Sequence, residues 1–152
     1  MVDREARDRA ALLLRRFAAG RLTNDEFDEA YPGSAGDRAL PEVGGAAWHL
    51  HSDGEVHRLT GEYALARLTR RDVARWVVFL HTDLEYEWPA FDWYRFVDPV
   101  WNWLTRGRAE RRWRDDFEAF QRRGEYRVWP FLRGADFVAA RRRPRLLAGR
   151  AP

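Results

Sequence analysis

Between residues 10 and 18 the apolar positions Ala10, Leu13, Leu14, Phe17 and Ala18 recur at helical spacing, with arginines on the other side. That spacing predicts an amphipathic helix, and Gly20 stands where a left-handed C-terminal cap is wanted. Thr23 and Glu26 have the spacing of a reciprocal capping box, flanked by Leu22 and Phe27 as its hydrophobic staple. Pro32 and Gly33 stop the second helix after Tyr31. The pattern therefore predicts a helical hairpin over about residues 3–31.

Asp37 can cap a third helix running to about Ser52, with Ala39, Leu40, Val43, Ala46, Ala47 and Leu50 as its apolar face. Pro41 falls in the tolerant first turn. Gly44 and Gly45 weaken this helix by about 1 kcal/mol each relative to Ala, or admit a close neighbour. Residues 53–68 are broken by Gly54 and Gly61, with a short helical turn expected near 54–58. A cap at Thr69 answered by Asp72, with Leu68 stapled to Val73, predicts a helix over 70–81. Its apolar residues Val73, Trp76, Val77, Val78, Phe79 and Leu80 cover most of the circumference, as in a buried central helix.

After His81 the period changes to two. Leu84, Tyr86 and Trp88 alternate with Asp83, Glu85 and Glu87, which predicts a half-buried strand ended by Pro89. Tyr126, Val128 and Phe131 predict a second strand, its Arg127 beside the acidic face of the first. Between them Asp98-Pro99 opens a helix to about Arg106. Trp113, Phe117 and Phe120 mark another over about 109–123, closed by Gly124, and a last helix over about 135–142 runs into RRRPR. The expected fold class is α+β and predominantly helical: an N-terminal helical hairpin, a central buried helix and a small two-stranded antiparallel sheet packed on helices. Residues 1–152 are read as a single domain, with the hairpin at 1–32, a main body at 37–143 and a basic flexible tail at 144–152.

Charge adds an asymmetry. All 27 basic residues are arginine; residues 103–152 carry 14 of them against six carboxylates, and residues 1–102 carry 13 against 18. A basic half of this kind suits an acidic partner, or docking on the acidic half. Cysteine is absent, which excludes disulfides, thiolate metal sites and cysteine nucleophiles. The charged N-terminus lacks the apolar core of a signal peptide, and the longest apolar run is Trp76–Leu80. A bacterial cytoplasmic protein with no membrane contact is expected.

LLLRRFAAGRLTNDEFDEAY, from Leu12 to Tyr31, resembles the short helical hairpin of the SHOCT type found in many bacterial proteins: a Leu-rich helix, a Gly, an apolar-Thr/Ser pair, then Glu-Phe on the second helix. Here the hairpin precedes a longer globular region rather than standing elsewhere in the chain. RWVVFLHTDLEYEWP and the later VWPF resemble small bacterial proteins of an uncharacterised family. The first resemblance implies a packing or oligomerisation element, and neither implies a catalytic residue.

Three function classes remain. Trp88, Trp93, Tyr94, Trp101 and Trp103 are too many to point inward together, and Trp, Tyr and Arg are enriched at interaction surfaces. A non-enzymatic protein acting through a protein partner or as a homo-oligomer is the favoured expectation, with Trp93, Tyr94, Trp101 and Trp103 at the interface. Arginines interleaved with aromatics in the C-terminal half also suit nucleic-acid phosphates and bases, with Arg141, Arg142, Arg143 and Arg145 as contacts to phosphate or an acidic partner. A hydrolase or metal site would draw on the histidines and carboxylates of residues 49–92: His49, His51, Asp53, His57, His81, Asp83, Glu85, Glu87 and Asp92. His49 and His51 diverge on a helix, and no recognised ligand spacing, nucleophile elbow or phosphate loop occurs, so no catalytic residue, metal or cofactor is expected.

Overall fold

A computed structural model describes residues 1–33, 36–51, 54–93 and 107–142. Among them the chain forms six α-helices and two single 3-10 turns: α1 Arg4–Ala18, α2 Asn24–Ala30, α3 Ala39–Trp48, α4 Arg67–Leu80, α5 Arg108–Gln121 and α6 Gly134–Arg142, with turns at Gly61–Tyr63 and Tyr126–Val128. The hairpin forms as its capping residues dictate. Asp3 accepts the amide of Ala6 to open α1. The Thr23 hydroxyl accepts the amide of Glu26, whose carboxylate accepts the amide of Thr23. Gly20 makes the turn at φ 66°. A Cβ there would sit 2.3 Å from Thr60 Cγ2, so the residue is required by space as well as by backbone. Phe17 of α1 stacks on Phe27 of α2 at 4.5 Å, and both are buried.

α4 is the centre of the fold. It packs antiparallel against α1, is touched by α3 and by α6, and buries Val73, Trp76, Val77, Phe79 and Leu80. A fully buried side chain of this size contributes roughly 1.5–3 kcal/mol, and this helix stacks five of them on Leu13, Leu14 and Phe17 of α1 and on the aromatics of the C-terminal half. The start of α4 differs from the expectation. The helix begins at Arg67 after Ala66, with no side-chain cap, so Thr69 lies inside the first turn. Leu68 stands 70% exposed and closes no staple. The reason is local: the backbone is extended at Ala66, two residues before the apolar residue that would have preceded a Thr69 cap. The helical turn expected near 54–58 is likewise displaced, to Gly61–Tyr63.

The sheet is the larger correction. The described residues contain no strand, and the one ladder-like contact is an isolated bridge between Thr23 and Arg58; the architecture is all-α, not α+β. The alternation in 83–88 is nonetheless physical, since Tyr86 and Trp88 are buried while Glu85 and Glu87 are exposed. Period-two burial requires only an extended chain with one covered face. A strand also requires a partner backbone, and here side chains take its place. The carbonyl of Leu84 accepts from Arg7 at 2.8 Å, and that of Trp88 from Arg38 at 3.0 Å. The other expected strand curls into a 3-10 turn at Tyr126–Val128 followed by a cis Trp129–Pro130 bond, and proline has no amide to give a ladder. The two segments meet through indoles: Trp88 Nε1 donates to the carbonyl of Phe131 and Trp129 Nε1 to the hydroxyl of Tyr86, both at 3.1 Å. Arg127 pairs with Glu125, and it is Arg133 that approaches Glu87, at 3.9 Å. The helix expected from Asp98-Pro99 and the tail at 144–152 lie outside the described residues.

Candidate functional site

The outer faces of α1 and α4 leave a groove between them of about 820 Å³. Leu12, Ala74, Val77 and Val78 supply its apolar surface. Leu12, Ala74 and Val78 are exposed or partly exposed beside the core stripe, while Val77 is a buried core residue that forms the floor. Leu12 is 51% exposed. Arg15, Arg16, Arg21 and Arg70 rim the groove, and no carboxylate lines it. None of the four forms an ion pair among the described residues; Arg16 feels Glu26 only through space. The sequence carried this site openly, as the arginines opposite the apolar stripe of α1. What it did not carry was that α4 would lie antiparallel alongside and present Arg70 to them.

Of the expected interface residues only Trp93 is among the described residues, and it does not line this groove. Trp93 is half-buried. Its indole donates to Glu42 at 2.7 Å, the amide of Phe91 donates to the same carboxylate at 3.3 Å, and the Trp93 carbonyl accepts from His49 Nε2 at 2.7 Å. The ring is seated on Gly45, where a Cβ would come within 2.8 Å of Trp93 Cβ. Burial raises the Glu42 carboxyl above its ordinary range, against the lowering effect of donors from Trp93, Phe91 and Tyr86. Tyr94, Trp101, Trp103, Arg143 and Arg145 lie outside the described residues. Arg141 and Arg142 are exposed on the last turn of α6, Arg141 beside the Phe137 ring at 5.5 Å.

In α5 the arginines are partly committed, Arg114 to Glu110 and Arg122 to Glu118. Its Trp113, Phe117 and Phe120 turn toward Phe91 and Tyr126.

Of the described histidines and carboxylates of 49–92, His49, His51 and His57 line one pocket with Glu62 and Tyr63, while His81, Asp83, Glu85, Glu87 and Asp92 lie outside it. His51 lies 3.5 Å from Asp28, and His81 lies 3.1 Å from Asp8, where burial pushes its ring below the usual range against the pull of that carboxylate. Asp83 pairs with Arg4 and Glu85 with the N-terminal amine. His57 Nδ1 is 2.9 Å from the carbonyl of Glu55. A carbonyl only accepts, so Nδ1 carries a hydrogen, and Nε2 is buried with no hydrogen-bond partner among the described residues. Tyr63 stacks on this ring and hydrogen-bonds Glu55. Asp53 lies outside the described residues, and among those described no three such groups sit where they could hold a metal ion. No described helix is long and apolar enough to cross a membrane.

Comparison with protein-family models, with curated proteins and with solved structures finds no match for this chain.

Proposed function

We infer that this chain is a binding protein rather than an enzyme, acting in the cytoplasm by docking another protein in the groove between α1 and α4. The observation that carries this reading is the groove itself: apolar surface left uncovered along two helices of the central pair and bordered by four arginines that form no ion pair among the described residues. Helix pairs commonly receive a third helix along such a seam. The cysteine-free sequence suits a reducing compartment.

The reading is tested by selecting helical peptides from a displayed library against the full chain and counter-screening on Ala74→Trp, which fills the groove from an exposed position. The expected ligands bind the wild-type chain and fail on the variant, whose circular dichroism and melting temperature stay unchanged. Ligands indifferent to Ala74→Trp would put the binding face elsewhere and overturn the reading.

A further inference from the structure

We propose that the occupant of the groove is an acidic amphipathic helix of a partner protein, an assignment that rests on the reading of the groove as a docking site. Two features of the charge point to it, with Arg70 common to both. The first is the rim, where Arg15, Arg16, Arg21 and Arg70 face one cavity with no lining carboxylate.

The second is the beginning of α4. This helix has no side-chain cap and no acidic residue in its first turn. It carries instead Arg67, Arg70 and Arg71. A helix N-terminus is already positive and favours anions, and α2 follows that rule with its capping box and Asp25 and Glu26. In α4 cations are placed where the free fold is weakened by them. Natural proteins break such local rules at functional sites.

Shape selects the class of anion. The groove runs along α1 from Leu12 to Ala19 and along α4 from Arg70 to Val78. At 1.5 Å per residue each edge is about 10–12 Å long, roughly two helical turns. A helix with one apolar ridge and flanking carboxylates meets both the floor and the rim. A phosphodiester backbone offers no ridge for Leu12, Val77 and Val78 to cover. A second copy of this chain fits poorly: its acidic helix α2 turns its large apolar residue, Phe27, into its own core, and each copy carries net charge +3.

The test measures fluorescence anisotropy of the full chain with three labelled helical peptides of about 15 residues: a Leu-ridged acidic helix, the same helix with Glu replaced by Gln, and a scramble of the acidic composition. The acidic amphipathic helix is expected to bind at least about tenfold more tightly than the other two, and to weaken as salt rises from about 50 to about 300 mM. Arg70→Glu is expected to weaken it by about tenfold or more while raising the melting temperature of the free chain, a gain that a merely structural arginine would not give; Arg70→Gln serves the same comparison with a smaller charge change.

If the Gln peptide binds as tightly and fails on Ala74→Trp, docking stands and the acidic assignment is overturned. Binding of the scramble at equal strength, or displacement of the peptide by duplex DNA or by anionic phosphatidylserine vesicles at matched charge, overturns the assignment in favour of a general polyanion. Should no peptide bind, or binding survive Ala74→Trp, the docking reading falls with it.

Discussion

Arg7 and Asp37 form a two-pronged ion pair inside the protein, Nε to Oδ2 at 2.6 Å and Nη2 to Oδ1 at 2.8 Å, with both side chains almost wholly out of water. Four of the five guanidinium N–H groups are used. Arg7 Nη1 donates to the carbonyls of Thr82 and Leu84 and its guanidinium lies over Phe79, while Asp37 accepts the amides of Asp3 and Ala39. One charge pair thus ties α1, the start of α3 and the extended segment after α4. Removing one partner strands the other charge, so Arg7→Met or Asp37→Leu alone should cost about 3–5 kcal/mol in urea unfolding. The double variant should cost clearly less than the two singles together, because nothing charged is left buried.

Two buried carboxyls give stability opposite dependences on pH. At Asp37 burial raises the carboxyl, but the Arg7 hydrogen bonds and the two backbone amides outweigh it and hold the group below its ordinary 3.8. Its contribution is complete above that value and is lost as pH falls through the lowered folded pKa. At Glu42 burial wins and the folded carboxyl sits above its ordinary 4.5. The folded state then holds more protons than the unfolded state just above pH 4.5, and stability falls as pH rises through that window. Melting temperatures of Glu42→Gln and wild type, followed upward from pH 4.5, should differ by the loss of this downward slope in the variant.

Gly45 gives Trp93 its seat. With Trp93 Cβ, Cγ and Cδ1 all within 2.9 Å of any added Cβ, Gly45→Ala must push the indole off α3 and lengthen its bond to Glu42. The expected result is a red-shifted tryptophan emission and a loss of about 1–3 kcal/mol, the usual penalty for overpacking, despite alanine's better helix propensity.

Thr23 and Thr69 look alike in sequence and differ in structure. Thr23 caps α2 through the amide of Glu26 at 3.2 Å, so Thr23→Ala should cost about 1 kcal/mol. Thr69 sits within α4 and caps nothing, so Thr69→Ala should be neutral or raise stability by up to about 0.5 kcal/mol. Parallel thermal melts of the two variants check the pair.

The contrast explains what was legible beforehand. Hairpin caps, Gly20 and the apolar stripe of α4 are short-range features, and the chain within a few residues decides them. The alternation at 83–88 was equally legible as burial, since Tyr86 and Trp88 do point inward. Whether such a segment becomes a strand depends on who satisfies its backbone, and here the donors are Arg7 and Arg38, 77 and 50 residues away. No local pattern encodes that. The groove was half legible for the same reason. The arginines of α1 stand out at once, but the Thr69 cap expected from sequence makes Arg70 the first residue of its helix, whereas α4 begins uncapped at Arg67.

The most direct test of the groove is nuclear magnetic resonance of the 15N-labelled full chain titrated with the acidic amphipathic helix. The account predicts amide shifts concentrated on residues 12–21 and 67–78, the facing edges of α1 and α4. Shifts concentrated on α5 or around Trp93, with those two edges unmoved, would contradict it.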